Sequence, residues 1–347
     1  MTDVRKVARE RMNGACRVCP ACDGRACAGE VPGMGGLGTG ASFKANVEAL
    51  ARVRFNLRTI HAVTEPDTRI GLLGLSLSMP VLAAPIAAVH LNLGDGLPEL
   101  EYARAILQGC RAAGALGCTG DGAAHELFQA GVEAIREAGG WGIPFVKPWE
   151  DAELYDKLAK ARDTGATVVG MDIDAAGLIT LKKMGRPVGP KTPDKLREII
   201  GKAGLKFILK GVMTPAEAHL AVEVGADAIV VSNHGGRVLD GTPGTAEVLP
   251  AVAAAVRGRI PVLADGGVRS GGDVLKMLAL GADAVLVGRP FAIAAMGGGA
   301  EGVRACAEKL REELAAAMVL TGTPTVAAAG PDILYDRPWP GGASRPD

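Results

Sequence analysis

The sequence predicts a closed (β/α)8 TIM barrel, on three observations. Eight short apolar runs recur between residues 80 and 290, amphipathic stretches separate them, and polar residues stand repeatedly at the C-terminal ends of the runs. Continuous apolar runs, as opposed to alternating ones, indicate parallel strands buried on both faces. Eight such units are the count of a closed (β/α)8 barrel. An open doubly wound sheet is the plainer alternative. It gives no reason for Lys147, Asp172, Lys210, His234, Asp265 and Arg289 all to occupy strand ends. In a barrel those ends converge on one mouth, where active sites are built.

The elements follow in chain order. The N-terminal "MTDVRKVARERMNG" is charged and has no signal-peptide apolar core. No apolar run reaches the roughly 20 residues that a spanning helix takes, so the expected location is the cytoplasm, with no membrane span. Next comes "CRVCPACDGRAC", which spaces Cys16, Cys19, Cys22 and Cys27 as C-x2-C-x2-C-x4-C. Thiolates at these intervals can wrap a zinc ion or an iron–sulfur cluster. Free thiols in an N-terminal arm, or a disulfide formed during isolation, are the competing readings. A cluster near a redox cofactor would give electrons an exit other than oxygen. Residues 28–79 form a glycine-rich preamble, "GEVPGMGGLGTG", leading into a helix candidate around "SFKANVEALARVRFNL". We divide the chain into an N-terminal Cys/Gly-rich segment, 1–45, and a barrel domain, 46–347.

The strand candidates are 80–87, 115–120, 144–149, 167–174, 206–212, 227–235, 261–268 and 283–290. Between them lie helices such as "DAELYDKLAKARDTG" and "TPAEAHLAVEVGAD", the latter with Thr214 as cap and Pro215 in its first turn. Residues 175–193 make a long Gly/Pro-containing loop on the catalytic face, expected to act as a lid. "AEGVRACAEKLREELAAAMVLTG" reads as a terminal helix ending at Gly322.

Composition narrows the partners. The chain has 347 residues, 48% hydrophobic, with 38 basic against 38 acidic side chains. That balance gives no electrostatic case for nucleic acid or an anionic membrane. Any anion must be held locally, and strands seven and eight offer the means. "LADGGVRSGGDV" and "VLVGRP" combine glycines that let backbone N–H groups approach an anion with Arg269 and Arg289, whose planar forks match phosphate oxygens. Barrels commonly hold phosphates after these two strands. Singly, either motif also reads as a simple turn with a surface arginine.

The remaining strand ends suggest proton and charge chemistry. Lys210 can form a Schiff base or stabilise developing negative charge. His234 can take a proton from a hydroxyl, Arg237 suits a carboxylate held by two hydrogen bonds, and Asp172 is expected to orient the imidazole of His234.

"LKGV" (209–212), "SNHGGRVLDGTP" (232–243), "ADGGVRSGGDV" (264–274), "LGADAVLVGRP" (280–290) and "LTG" (320–322) closely resemble the FMN-dependent 2-hydroxy-acid oxidase and dehydrogenase family, which includes glycolate oxidase, lactate oxidase and flavocytochrome b2. The resemblance runs from about Asn46 to the C-terminus. It implies a TIM barrel with FMN at its mouth, a 2-hydroxy acid as substrate and a homo-oligomer, often a tetramer. It implies that Lys210 stabilises reduced flavin at the N1–C2 edge, that His234 is the base with Asp172 as its partner, and that Arg237 clamps the carboxylate. Ala84, Pro85, Ile86 and Ala87 would lie against the flavin ring. Ser232, Asp265, Gly266, Gly267, Arg269, Gly288 and Arg289 complete the implied cofactor contacts. The departures are local. No tyrosine stands in the N-terminal segment, where the family places one for the substrate carboxylate, and Lys147 replaces a second family tyrosine, so Lys147 is carried as a substrate contact. The altered shell puts a small substrate such as glycolate or lactate, and oxygen as acceptor, in question. Two other readings stay open at this stage: another FMN barrel, such as a type 2 isopentenyl diphosphate isomerase-like enzyme, and a flavin electron-relay protein.

Overall fold

The structure, a computed structural model, describes residues 2–186, 188–256 and 258–335; Pro187 of the expected lid and the last residues of the barrel domain, 336–347, lie outside them. Two short strands, β1 (Ile70–Leu72) and β2 (Leu75–Leu77), form an antiparallel hairpin. Eight parallel strands follow: β3 (Val81–Ala83), β4 (Leu116–Thr119), β5 (Ile143–Val146), β6 (Val168–Asp172), β7 (Lys206–Val212), β8 (Ala228–Val231), β9 (Val262–Ala264) and β10 (Ala284–Val287). They close into a barrel, with β10 pairing back to β3. Every expected strand is present.

Two apolar layers account for the closure. Leu82, Leu116, Phe145, Ile208, Val230, Leu263 and Leu286 point inward and fill the barrel. Leu72 and Leu77 of the hairpin join this inner cluster, so β1 and β2 plug one end. The alternate residues Val81, Ala83, Val146, Val169, Leu209, Ile229, Val231 and Val285 point outward and pack under the helices. Period-two alternation thus separates two cores even though each strand reads as apolar throughout.

The helices begin and end where local chemistry dictates. Thr214 caps the helix Pro215–Glu223 by accepting the Glu217 N–H, and Ser270 forms a capping box with Asp273 ahead of Gly271–Ala279. The terminal helix, Arg289–Thr321, bends at Gly299 and stops at Gly322, whose backbone is left-handed at φ 68°.

The N-terminal segment is fastened to this frame at both ends. Helix Thr2–Arg11 lies along the terminal helix, with Arg11 Nη1 donating to Met296 O at 3.0 Å. At the mouth, the glycine-rich preamble is laced to the loop after β8. Leu37 N donates to Gly236 O at 2.8 Å, and Asp240 accepts from Thr39 N, Thr39 Oγ1 and Ala41 N. The expected lid is a 3-10 turn (Ile173–Gly177) and a short helix (Ile179–Lys183). Arg186 ties it down by donating to both Glu153 oxygens at 2.6 Å. Below it, Lys157 and Asp121 form a wholly buried ion pair at 2.6 Å. Asp121 also accepts the Lys147 N–H and the Trp149 indole N–H, which fixes the start of the β5 loop.

Candidate active site

After β8 the chain passes through Ser232 and Asn233 to His234, whose backbone is left-handed at φ 58°. Few residues with a Cβ adopt that region, and a buried network over-determines it here. Ser232 Oγ accepts the His234 N–H at 3.0 Å and donates to Asp265 Oδ2 at 2.8 Å. Asn233 exchanges amide hydrogen bonds of 2.8 and 3.1 Å with Asn46, a buried residue of the helix Ala41–Arg52. Ser232, expected among the cofactor contacts, therefore lies beneath the cavity wall and positions His234 and Asp265.

The carboxylate that reaches the imidazole is Asp174, not Asp172 as the sequence reading expects. His234 Nδ1 lies 3.0 Å from Asp174 Oδ1. With a carboxylate on Nδ1, the proton of the neutral ring sits there and Nε2 keeps its lone pair. Asp172 instead pairs with Lys210, Nζ to Oδ1 at 2.9 Å, both all but excluded from solvent. The difference has a backbone cause. β6 ends at Asp172 and turns at once into the 3-10 helix, which swings Asp174 over the mouth. β7 makes room by a bulge at Gly211, φ 112°, where an added Cβ would sit 2.6 Å from the Asp174 Cβ.

Charge in this pocket is mutually compensated. Burial pushes Lys210 down, but Asp172, Asp174 and Asp265 outweigh it and hold its ammonium above the ordinary lysine range. Burial likewise pushes Asp172 up, and the charges of Lys210, His234 and Lys147 outweigh it, leaving its carboxyl below the ordinary range. Asp265 goes the other way, raised by burial against the opposing pull of Lys210.

A cavity of about 520 Å³ connects these groups with Ala84–Ala87, Lys147, Arg237, Gly266, Gly267, Arg269, Gly288 and Arg289. Lys147 is only 7% exposed, yet its ammonium makes no hydrogen bond or ion pair with any described residue. Arg237 is partly buried, and the loss of solvent around its guanidinium lowers it to about 10. It donates to the carbonyls of Gly33 and Gly35 and, at 2.8 Å, to Asn92 Oδ1. Asn46 and Asn92 were not picked out from the sequence; a single asparagine within a helical stretch carries no spacing signal.

At the other end, Arg269 and Arg289 face the cavity with no carboxylate partner among the described residues. Arg289 stacks on the Phe43 ring at 3.6 Å, and burial together with the charge of Arg269 holds it below the ordinary arginine range. Beyond the Asp172–Lys210 pair, four buried polar atoms lack a hydrogen-bond partner among the described residues: Thr119 Oγ1, Asp174 Oδ2, Asp265 Oδ1 and Arg269 Nε. Thr119 Oγ1 faces Gly131 of the helix outside the barrel; the other three follow strand ends on the mouth, where a bound molecule could complete the bonding. The cysteines lie beside this end, where Arg269 Nη2 donates to Cys22 O at 3.1 Å. The four thiols are not at the spacing of one zinc ion. Among the described residues, the one set of three candidate ligands within 4.8 Å of each other is Asp172, Asp174 and His234, the charge network already described.

A barrel mouth that joins a His–carboxylate pair, buried cations and an anion-binding end fits an enzyme that holds an anionic ligand and moves a proton. The comparisons make the class specific. The profile of the FMN-dependent dehydrogenase family matches residues 33–187 and 181–336. The chain is 48% identical over 326 residues to 2-hydroxyacid oxidase of Dictyostelium discoideum, covering 84% of this chain and 82% of that one. It is 34% identical over 340 residues to 4-hydroxymandelate oxidase of Amycolatopsis orientalis, covering 85% and 90%. A crystal structure of mandelate oxidase superposes with a TM-score of 0.79 at 33% identity, covering 96% and 97%. The chain belongs to the FMN-dependent dehydrogenase family and is an FMN-dependent oxidoreductase of 2-hydroxy acids; the isomerase and relay readings have no support here.

The cavity fits that cofactor. Its volume is in the range of about 300–1,000 Å³ usual for ligand pockets. A Cβ on Gly288 would find only Ala84 and Ile86, at 3.8 and 3.9 Å, so the wall there is open to a flat ring.

Two consequences follow from the β6–β7 junction. Gly211→Ala should displace Asp174 and cost roughly 10²-fold in turnover with flavin still bound; unchanged turnover in a steady-state assay would show that Asp174 has no positioning role. Asp172→Asn strands Lys210 and should destabilise the holoprotein by roughly 3–5 kcal/mol at pH 7. The folded Asp172 carboxyl lies below its unfolded value of about 3.9, so its contribution is present above that pH and lost as pH falls through the folded value. Urea unfolding should therefore show the two proteins converging in acid; a gap that stays constant with pH would contradict the pairing.

Proposed function

We propose that His234 Nε2 accepts the 2-hydroxyl proton of the substrate while Arg237 and Lys147 hold its carboxylate. The observation that carries this is the bond from His234 Nδ1 to Asp174, which fixes the tautomer and offsets the charge of the imidazolium as it forms. Arg237 supplies the fork, and the unpaired Lys147 ammonium supplies the charge and donors that a tyrosine pair would otherwise give. FMN, when bound, accepts the two electrons released as the substrate C2–OH becomes a carbonyl. Arg269 and Arg289 would hold its phosphate, Asp265 and the Gly266–Gly267 backbone its ribityl chain, and Ala84–Ala87 its ring. Lys210 would offset the negative charge gained there on reduction.

The rest of the substrate meets apolar surface. Leu91, Leu127, Leu178, Leu181 and Met184 line the cavity between the mouth and the lid. This supports a 2-hydroxy acid with an apolar substituent larger than a methyl group. Anaerobic titration with a panel of 2-hydroxy acids should bleach the flavin band most readily with branched or aryl acids, and His234→Asn should keep flavin but resist bleaching. Equal reduction of that variant would remove His234 as base; a preference for glycolate would overturn the substituent assignment.

We also read the chain as a cytoplasmic homo-oligomer, a tetramer by its family resemblance. Among the described residues no helix is long and apolar enough to cross a membrane. Leu57, Ile60 and Leu320 are solvent-facing on neighbouring segments joined by the bond from Arg58 N to Leu320 O at 2.9 Å. An apolar face of this kind supports self-association. Light scattering on the purified holoprotein should give a multiple of the 35.4 kDa chain; a monomer at micromolar concentration would refute it.

A further inference from the structure

We propose that Cys16, Cys19, Cys22 and Cys27 hold an iron–sulfur cluster at the phosphate end of the cofactor cavity. The proposal goes beyond the barrel chemistry and is independent of the role given to His234. All four cysteines precede residue 33, where the family match begins, so the oxidation of a hydroxy acid does not call for them.

The segment already has the conformation of a ligand loop. The Val18 N–H donates to Cys16 Sγ at 3.3 Å. Val18 has its backbone at φ 48°, a region that β-branched residues almost never adopt, and its side chain is wholly buried. Something must maintain that conformation, and two arginines of the N-terminal helix do so. Arg5 Nη2 donates to Val18 O at 3.3 Å and to Cys19 O at 2.6 Å, while Arg9 Nη2 donates to Val18 O at 3.1 Å. These bonds turn the carbonyls outward and leave the N–H on the sulfur. Strain kept up in this way is found at functional sites rather than in idle loops.

A second sulfur has a charged donor. Arg269 Nη2 donates to Cys22 Sγ at 3.4 Å, so this sulfur too is held in place by a hydrogen bond. The far side of the loop is fixed as well. A Cβ on Gly24 would collide with the Phe43 ring at 2.7 Å, and the opposite partner of that ring is the Arg289 guanidinium. The cysteine loop, Phe43 and the two arginines of the anion site form one packed unit.

Spacing selects the ligand. All seven cysteines are free thiols, and no three of these four sulfurs lie within 4.8 Å of each other. A single tetrahedral zinc, with bonds of about 2.3 Å to each sulfur, would need them closer than that. A cubane cluster spreads its four thiolates over a larger cage, and two successive x2 steps are those of a bacterial ferredoxin run, with the last interval one residue longer.

The test uses the full chain, expressed and purified without oxygen. Iron and acid-labile sulfide should each be about four per chain, with an electron-paramagnetic signal on dithionite reduction. Cys22→Ser should lose iron and signal while retaining flavin, and Cys306→Ser, on the terminal helix, should retain both. Flavin-replete wild-type protein without iron or sulfide, even after anaerobic incubation with ferrous iron and sulfide, would overturn the proposal. So would stoichiometric zinc, a disulfide among the four, or undiminished iron in Cys22→Ser. The wild-type analysis decides the matter even where a serine variant fails to fold. Reduction of the flavin by a hydroxy acid, measured in the same sample, reports on the barrel reaction separately.

Discussion

Three carboxylates surround the ammonium of Lys210 at the mouth of the barrel, and the rest of the site depends on how they are distributed. Lys210 balances Asp172 directly and feels Asp174 and Asp265. Such a group persists only when each charge is offset, since an unpaired buried charge costs several kcal/mol. With Asp172 committed to Lys210, Asp174 is free to hold His234. The imidazole is thereby kept in one tautomer, beside a lysine whose positive charge is retained. Gly211 lets both arrangements coexist: a side chain at that position would occupy the space of Asp174.

The N-terminal segment extends the same logic to the opposite end of the cavity. Arg237 and Arg289 are partly buried cations that both donate to carbonyls of residues 33–35, Arg237 also to Asn92 Oδ1 and Arg289 to Gly235 O. Carbonyl dipoles satisfy a guanidinium without neutralising it, so both arginines keep their charge for an anion. The preamble is therefore a wall of the site. Glycine matters where this wall meets the loop after β8: a Cβ on Gly236 would sit 2.4 Å from Phe43 N. The cysteine loop is packed through Phe43 and Arg269 onto that wall, which couples anything bound there to the anion end of the cavity.

The features legible in the sequence were those set by short-range chemistry. Buried parallel strands must be apolar, so all eight could be read, and a polar residue ending such a run must face the mouth, so Lys210, His234, Asp265 and Arg289 were found. Asp172 and Asp174 could not be told apart in the same way. Two residues apart on a strand, they would share a face; which one reaches the imidazole depends on β6 ending at Asp172. Asn46 and Asn92 were invisible because their partners, Asn233 and Arg237, are more than 140 positions away. The cysteine spacing was legible, but its docking beside Arg269 was not, because a residue's neighbours across the barrel leave no periodic trace.

Lys147 is where local and global constraints meet. Its backbone N–H is tied to Asp121, which also takes Lys157 and Trp149, so the strand end can shift little. Its side chain leaves this rigid base and ends in the cavity without a partner. The residue is largely buried while its ammonium opens onto the cavity, a position in which an anion bound beside it would be favoured. A tyrosine there would donate one hydrogen bond and carry no charge. A lysine adds a full charge, and its effect on Asp172 shows that the charge is felt across the mouth. Under the function proposed above, carboxylate recognition would rest more on charge than on hydrogen bonding, and Arg237 and Lys147 would together form a clamp stronger in attraction and looser in geometry than an arginine–tyrosine pair. Such a clamp would tolerate variation in how the acid sits, and the apolar side of the cavity, not the carboxylate grip, would then decide which acids are oxidised.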